Sequence, residues 1–377
     1  MFSFARHSKS KISNWWWTVD KVSFSLAVFL IFIGAMLVLS ASPSAAHRDR
    51  LADDFAFIKK QGVFIFMGLV LMIGVSMQSL RTIRRLAVFG FLCAFAGVVL
   101  TYVVGDATKG AARWIKFAGF SLQPSEFIKP VFIVVTAWLL DANKRIEDFP
   151  GMTLAVGLFL LTALSVFGQP DLGMTVLISG VWALQMVWAG IPVWLIMTLF
   201  SAGLVLVTGS YFFLAHVRDR IDRFLASENE IGSQIQKSMD AFANGNLLGR
   251  GPGEGYVKMT LPDVHTDFIF ALAGEECGVW LTTIIVAVFA AIVVRSMTLS
   301  MRDNNLFVMY AASGLAASLG GQAIVNMCSA LQLMPAKGMT LPFVSYGGSS
   351  MLASCLAMGM LLAITRKNAA AEDKDNG

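Results

Sequence analysis

The sequence predicts an all-α protein, a single polytopic membrane helix bundle of about ten transmembrane helices. Of its 377 residues, 56% are hydrophobic and only 14% are charged, and the mean hydropathy is +0.68. These values exclude an ordinary soluble domain. Apolar runs of about 20 residues, the length that crosses a bilayer, occur at 22–42, 61–79, 86–104, 125–141, 151–168, 171–189, 191–214, 268–294, 306–333 and 341–365.

The distribution of Lys and Arg predicts the orientation of this bundle. Short segments on the N-terminal side carry 14 of these residues, against 8 in the short loops on the other side. Because the positive side of a membrane protein faces the cytoplasm, both termini are predicted to be cytoplasmic. A single domain at 22–366 then lies between an N-terminal tail, 1–21, and a disordered C-terminal tail, 367–377. The extracytoplasmic loops are 43–60, 105–124, 215–267 and 334–340, with the large one between the seventh and eighth helices.

Ionisable residues concentrate where the large loop meets the eighth helix. Asp263, His265 and Asp267 follow one another, and the apolar run begins at Phe268. A carboxylate at the mouth of a membrane helix is costly to desolvate, so Asp267 is a candidate functional group. The alternative is a helix-start carboxylate, with Thr266 as N-cap and Asp267 in the first turn. Asp263 and Asp267 are also possible ligands of a divalent cation, although a solvated turn is favoured.

The second outward loop and the fourth helix supply further candidates. Arg113 and Lys116 flank Trp114, which is by default an interface anchor but can also stack on a sugar while the cations hold phosphate. Glu126 and Lys129 are three residues apart on one helix face. Such an ion pair is more often structural than catalytic, because each charge offsets the burial cost of the other.

Three other stretches are chemically distinctive. The glycine-rich stretch 249–255 follows no strand, which excludes a dinucleotide loop but leaves Arg250 and Lys258 free to approach an anionic ligand. Lys337 precedes a Gly-Gly-Ser-Ser run that should break or thin the start of the tenth helix, and the freed backbone groups require either a cavity or a protein partner. The last stretch is in the ninth helix, where Gln322 and Asn326 are four residues apart on one face. These two polar side chains predict hydrogen bonds to neighbouring helices.

Over about residues 20–366 the chain resembles the SEDS (shape, elongation, division and sporulation) family of bacterial peptidoglycan polymerases, and three motifs carry this resemblance. The motifs are GAARWI with QPSEFIK (110–130), LPDVHTDFIFALAGEE (261–276) and PAKGMTLPFVSYGGSS (335–350). GRGPGEGYVK, leading into the second motif, is more similar to the division branch than to the elongation branch. Asp263 departs from the family, in which Glu is usual.

The resemblance implies a ten-helix enzyme that polymerises lipid II at the outer face of the bacterial cytoplasmic membrane, with Asp267 as the essential carboxylate and Trp114 as a functional residue. The implied partners are a class B penicillin-binding transpeptidase, other divisome membrane proteins and membrane lipid, and no nucleic acid. No cofactor is implied with certainty; a divalent cation such as Mg²⁺ is possible. A lipid II flippase and a recruiting scaffold are the alternative functions. The expected substrate-binding residues are Arg113, Trp114, Lys116, Glu126, Lys129, Arg250, His265 and Lys337.

Overall fold

The computed structural model describes residues 11–50, 52–108, 111–117, 120–169, 171–191, 193–213, 218, 222, 234–334 and 338–367. Within these ranges the chain forms thirteen helices and three short strands. The helices are α1 (Lys11–Thr18), α2 (Lys21–Arg48), α3 (Ala56–Ser76), α4 (Leu80–Val104), α5 (Pro124–Arg145), α6 (Gly151–Gly168), α7 (Leu172–Trp188), α8 (Val193–Phe213), α9 (Gln234–Gly245), α10 (Val257–Thr260), α11 (Ile269–Met301), α12 (Leu306–Ala330) and α13 (Gly348–Ile364).

The predicted membrane helix bundle is confirmed. Every predicted apolar run falls largely within one of the helices α2 to α8 and α11 to α13. Six described helices are long and apolar enough to cross a membrane, namely α2, α3, α4, α6, α11 and α12. The protein is therefore a multi-pass membrane protein, while the number of spans, the domain limits and the side that faces the cytoplasm stay predictions.

The loop predicted at 105–124 contains a small antiparallel sheet that the all-α prediction omitted. Strands β1 (Asp106–Thr108), β2 (Ala111–Phe117) and β3 (Phe120–Leu122) pair in that order. Asp106 lies opposite Trp114, and Ile115 lies opposite Leu122. Strand β2 contains Trp, Ile and Phe, which are aromatic and β-branched residues enriched in strands. The sheet leads directly into α5.

The bundle has two distinct ends. At one end, Arg295 of α11 bonds Asp20, with 2.6 Å between Nη2 and Oδ1, and the Lys367 N–H donates to the Thr18 carbonyl at 3.1 Å. At the other end, Arg48 at the close of α2 donates to the Leu261 carbonyl at 2.7 Å. The Arg48 guanidinium also donates to the Met259 carbonyl at 3.1 Å, so loop 43–60 is attached to the segment that leads to Asp267. The candidate residues around Asp267 lie at this second end.

A non-helical segment, 338–347, enters the bundle before α13. The predicted tenth run began at 341, but α13 begins only at Gly348. Leu341, Phe343 and Val344 are nonetheless buried. The segment lies against α2 at Gly34, where an added Cβ would come within 2.6 Å of the Val344 Cα. Any side chain larger than hydrogen at this position would therefore displace the segment.

Candidate active site

Asp267 lies in a turn that precedes α11. The helix begins at Ile269, and its N-cap is Phe268. The Asp263 carbonyl accepts the N–H groups of Thr266 at 3.1 Å and of Asp267 at 3.0 Å, and Asp263 has a φ of 54°. The prediction that Thr266 caps the helix is wrong, since its hydroxyl donates to the Asp263 carbonyl at 3.1 Å. Asp267 therefore sits one residue before the N-cap, outside the first helical turn.

The polar side chain of Asn326 on α12 joins the Asp267 turn to segment 338–347. Its Nδ2 donates to the Asp267 carbonyl at 2.9 Å and to the Met339 carbonyl at 2.7 Å. A Cβ added to Gly338, which has a φ of +63°, would lie 3.5 Å from Asp267 Oδ2. The half-buried carboxylate thus faces the start of the segment. Lys337, predicted to bind substrate, lies outside the described residues.

The backbone of segment 338–347 forms hydrogen bonds with protein partners, which is one of the two alternatives that the sequence left open. Ser345 Oγ donates to the Thr266 carbonyl at 2.5 Å and accepts the Leu341 N–H at 2.8 Å. Gln61 Nε2 of α3 donates to the Ser345 carbonyl at 3.3 Å. Irregular backbone at membrane depth is stable only with such partners. The segment is consequently a fixed wall beside Asp267.

The predicted pair of Glu126 and Lys129 exists and is buried. Lys129 Nζ lies 2.8 Å from Glu126 Oε2, and the two residues are only 4% and 6% exposed. Lys129 also donates to Gln322 Oε1, and Gln322 Nε2 donates to the Thr340 carbonyl at 2.9 Å. The ion pair is therefore linked through α12 to the segment beside Asp267. The sequence predicted hydrogen bonding by Gln322 and Asn326 but not their bonds to this segment.

The β2 strand holds Arg113 and Trp114 at the mouth of the bundle. Arg113 Nη1 lies 3.3 Å from Asp171 Oδ2, and its Nε donates to the Gln169 carbonyl at 3.2 Å. A bound phosphate would have to share this cation with Asp171. Trp114 is half-buried. Lys116 pairs with Ser121 in the sheet, and its side chain lies outside the described residues.

The glycine-rich stretch is anchored to α11 instead of reaching toward a ligand. The N–H groups of Arg250 and Gly251 donate to the carbonyls of Glu275 and Glu276 at 3.0 and 2.9 Å. Lys258 is 4% exposed and lies 2.8 Å from Glu276 Oε1, so the prediction that it approaches an anionic ligand is wrong. Arg250 remains exposed, with its guanidinium 5.0 Å from the centre of the Tyr256 ring.

Glu275 is fully buried in α11. Its carboxylate accepts the N–H groups of Tyr256 at 2.8 Å and Val257 at 3.0 Å, which caps the short helix α10. A carboxylate enclosed in this way has no route to a lipid-borne sugar. The sequence could not reveal this role, because the backbone donors lie 18 and 19 residues earlier in the chain.

His265 packs in an aromatic cluster. Its ring centre lies 4.5 Å from that of Phe57 and 5.4 Å from that of Tyr346. Burial lowers the pKa of His265 below its usual value, although the Asp263 carboxylate opposes that effect. The side chain is therefore neutral at neutral pH and provides no positive charge for a pyrophosphate. Across the described ranges, no three His, Cys, Asp or Glu side chains cluster as metal ligands.

Similarity to known proteins covers nearly the whole chain. Residues 20–370 match the family of FtsW, RodA and SpoVE, described as "Cell cycle protein". The chain is 40% identical over 365 residues to a protein of Caulobacter vibrioides named "Probable peptidoglycan glycosyltransferase FtsW", covering 97% of this chain and 94% of that protein. A Geobacter metallireducens protein of the same name is 36% identical, with 92% and 95% covered.

Solved structures agree with the fold. One is described as "Structural coordination of polymerization and crosslinking by a peptidoglycan synthase complex"; it has a TM-score of 0.76 at 25% identity and covers 92% of this chain and 97% of its own. The rod shape determining protein RodA of Thermus thermophilus has a TM-score of 0.67 at 24% identity, with 93% and 97% covered. The length of the family match and the 40% identical relative agree with the three sequence motifs: the chain belongs to the FtsW, RodA and SpoVE family of cell cycle proteins, the SEDS family.

Proposed function

We propose that the protein is a peptidoglycan glycosyltransferase that polymerises lipid II into glycan strands and releases undecaprenyl pyrophosphate. The names of its relatives support this reaction class. The single observation that carries it here is the position of Asp267. The carboxylate lies outside the helix, half-buried, and its backbone is fixed to segment 338–347 through Asn326.

Asp267 is the proposed general base. The acceptor sugar hydroxyl loses its proton to the carboxylate while its oxygen bonds to the anomeric carbon of the donor. The bond from that carbon to the pyrophosphate oxygen breaks, and undecaprenyl pyrophosphate leaves with the electron pair. A positioned base accelerates such a step by about 10²–10⁴-fold. Direct displacement with inversion, in which Asp267 acts only as a base, is favoured over a covalent intermediate.

The departing pyrophosphate requires positive charge nearby. Of the proposed cations, Arg250 is exposed at the mouth of the bundle, and Arg113 offers a guanidinium already held by Asp171. Arginine suits this task because its planar guanidinium binds phosphate through two parallel hydrogen bonds. Lys116 and Lys337 are proposed from the sequence alone, as cations of the predicted outward loops. Trp114 is proposed to stack on a substrate sugar beside Arg113.

The described side chains do not form a complete metal-binding cluster of their own. Asp263 and Asp267 were the possible ligands, but no third His, Cys, Asp or Glu among the described residues completes a cluster with them. His265 lies against two aromatic rings. No step of the proposed reaction is therefore routed through a metal.

The second candidate function is a lipid II flippase. A flippase and a polymerase differ in where the charged side chains that bind the substrate should lie. A transporter concentrates substrate-binding charge near the bilayer midplane. Here Glu126 and Lys129 lie in the first two turns of α5, directly after the β sheet, and Asp267 lies before the first turn of α11. The charges thus gather at one end of the bundle, which favours chemistry at a membrane surface.

The proposed site of action is the outer face of the cytoplasmic membrane at the division septum, alongside a cognate class B penicillin-binding transpeptidase and other divisome membrane proteins. The names of the relatives and the likeness of the fold to a chain of the peptidoglycan synthase complex support this assignment. The elongation branch is the alternative. To test the branch, cells are depleted of the protein, the protein is then restored, and new wall synthesis is located. Synthesis restricted to the septum would support the division branch. Synthesis along the lateral wall would contradict it.

One experiment separates the three functions. Purified full-length protein is reconstituted with fluorescent lipid II, with and without a cognate transpeptidase. Glycan chains on a gel support the polymerase. Translocation of lipid II across vesicles without chains indicates a flippase, and the absence of both activities in the presence of the partner indicates a scaffold.

A further inference from the structure

Helix α11 is broken at Gly278, a residue that the proposed reaction does not use. Gly278 has a φ of +70° and a ψ of −167°, a combination that essentially only glycine adopts. The break divides α11 into an N-terminal part, 269–277, and a C-terminal part, 279–301. In a continuous helix the Val279 N–H would donate to the Glu275 carbonyl. The backbone groups on either side of the break therefore need other partners.

Segment 246–251, which leads into the glycine-rich stretch, supplies partners for the carbonyls before the break. The Arg250 N–H donates to the Glu275 carbonyl at 3.0 Å. The Gly251 N–H donates to the Glu276 carbonyl at 2.9 Å. In a continuous helix both carbonyls would accept N–H groups from the next turn of α11. The segment thus completes the hydrogen bonding of α11 from outside the helix.

Two glycines allow this close approach. The Val279 N–H donates to the Asn246 carbonyl at 3.1 Å, which holds the segment against the break. A Cβ added to Gly278 would lie 2.5 Å from the Gly249 nitrogen, and one added to Gly249 would lie 2.5 Å from the Cys277 Cα. Both distances are too short for a Cβ contact. A side chain at either glycine would therefore separate the segment from α11.

Buried side chains hold the same two regions together. The Glu275 carboxylate accepts the Val257 N–H at the start of α10, and Lys258 of α10 lies 2.8 Å from Glu276 Oε1. Lys258, Glu275 and Glu276 are each at most 4% exposed. Breaking a buried ion pair leaves an uncompensated charge, which is costly. Segment 246–251, α10 and the N-terminal part of α11 therefore form one unit.

This unit carries both the proposed base and a proposed cation. Asp267 lies two residues before α11 begins at Ile269. The backbone of Arg250 is bonded to Glu275, and its side chain is exposed. Ile269 and Glu275 are six residues apart, which is about 9 Å along a helix. The contact between the segment and α11 consequently sets the separation of the base from the cation.

We propose that Gly249 and Gly278 are positioning residues for the polymerisation reaction. Their contact fixes Arg250 relative to Asp267, so that the guanidinium meets the departing pyrophosphate while the carboxylate takes the proton of the acceptor hydroxyl. The inference rests on the proposed function, because it concerns the position of two groups that this function uses. A displacement of about 1 Å at a reacting group can cost about 10²-fold in rate.

The first test compares two alanine variants in polymerisation of lipid II by the purified full-length protein. Gly249→Ala should lower kcat about 10²-fold, because the added Cβ displaces the segment. The matched control is Gly253→Ala. Gly253 also has a positive φ, +88°, but an added Cβ there would have no neighbour within 4 Å among the described residues. Its kcat should stay within about threefold of wild type, and equal losses in the two variants overturn the proposal.

A double-mutant cycle with Arg250→Gln tests whether the contact acts through Arg250. Alone, Arg250→Gln should lower kcat about 10²-fold, as expected for loss of a group that stabilises developing charge. Added to Gly249→Ala, it should cost less than about threefold more, because the guanidinium has already lost its position. Losses that multiply, or an Arg250→Gln protein as active as wild type, refute the proposal. A wild-type protein that makes no glycan contradicts the proposed function instead.

Amide hydrogen exchange of the full-length protein in detergent tests the unit without any activity. Gly249→Ala should raise exchange about tenfold or more in segment 246–251 and also in the turn 263–268, while Gly253→Ala leaves both unchanged. Gly278→Ala blocks the same contact from the α11 side and should give the same pattern, which keeps the test decisive if one variant does not fold. A rise confined to 246–251 would show that the segment does not fix the turn, and the proposal would be wrong.

Discussion

Replacing Asn326 by Leu should separate the Asp267 turn from segment 338–347. The Asn326 side chain is 1% exposed, and its amide donates to two carbonyls, 2.9 Å away at Asp267 and 2.7 Å away at Met339. Leucine has a similar volume but no donor. Both carbonyls then stay buried without this partner, and the turn and the segment lose their shared attachment to α12.

The magnitude follows from these two hydrogen bonds. Hydrogen bonds between membrane helices contribute about 0.6 kcal/mol on average and about 1.7 kcal/mol at most. A buried carbonyl left without a donor costs about 1–3 kcal/mol. Two such carbonyls put the loss of stability at about 2–6 kcal/mol. A displacement of about 1 Å at a reacting group can cost about 10²-fold in rate, so we expect polymerisation to fall by about that factor.

The assay compares Asn326→Leu with Ser313→Ala on the same helix. Ser313 Oγ donates to the Met309 carbonyl at 2.6 Å, so its loss affects only a bond within α12. Lipid II polymerisation and the unfolding midpoint in detergent are measured for both variants. The reasoning is refuted if Asn326→Leu polymerises at the wild-type rate, or if Ser313→Ala loses as much activity.

Three other outcomes are expected. Glu126→Ala or Lys129→Ala leaves an unpaired buried charge and should lower stability by about 3–5 kcal/mol. The measurement is the yield of folded protein on size exclusion. A normal yield of Lys129→Ala together with lost polymerisation would instead show that Lys129 binds the substrate. The pKa of His265 is lower in the folded protein than in the unfolded chain. As the pH falls below about 6.5, the unfolded chain therefore binds a proton before the folded protein does. The stability of the folded protein should then decrease by up to about 1.4 kcal/mol per pH unit. His265→Phe should reduce that decrease in thermal unfolding between pH 7.5 and 5.5, and an unchanged pH dependence would contradict the assignment. A cysteine at Asn246 should label from outside the cell with an impermeant reagent and one at Lys144 should not; the reverse pattern would invert the predicted orientation.

The sequence predicted the helix bundle and the charged candidates because both stand out locally. Ten apolar runs have the length of membrane helices, and Asp267, Glu126 and Lys129 are conspicuous as charges beside or within them. The pairing of Glu126 with Lys129 follows from helical spacing alone, since residues three apart share a face. These features depend on neighbours in the chain, and the structure contains them as predicted.

The features that the sequence missed depend on contacts between distant segments. Lys258 was assigned to an anionic ligand, but it is buried against Glu276 and Ser40, which lie 18 and 218 residues away. Asn326 bonds two backbone carbonyls, and such acceptors have no signature in the sequence. The β sheet was missed because its strands are short, three to seven residues, and lie in a loop between long apolar runs.

The most direct test of the central claim is polymerisation of lipid II by the Asp267→Asn protein, with and without its transpeptidase. Asparagine keeps the size of the side chain and leaves the backbone carbonyl bonded to Asn326, but it cannot accept a proton at neutral pH. Asp263→Asn is the control, because the substitution retains the backbone carbonyl that accepts the Thr266 and Asp267 N–H groups. We predict a folded protein that binds lipid II and makes no glycan, with a milder effect of Asp263→Asn. Polymerisation by Asp267→Asn at close to the wild-type rate would contradict the assignment of Asp267 as the base.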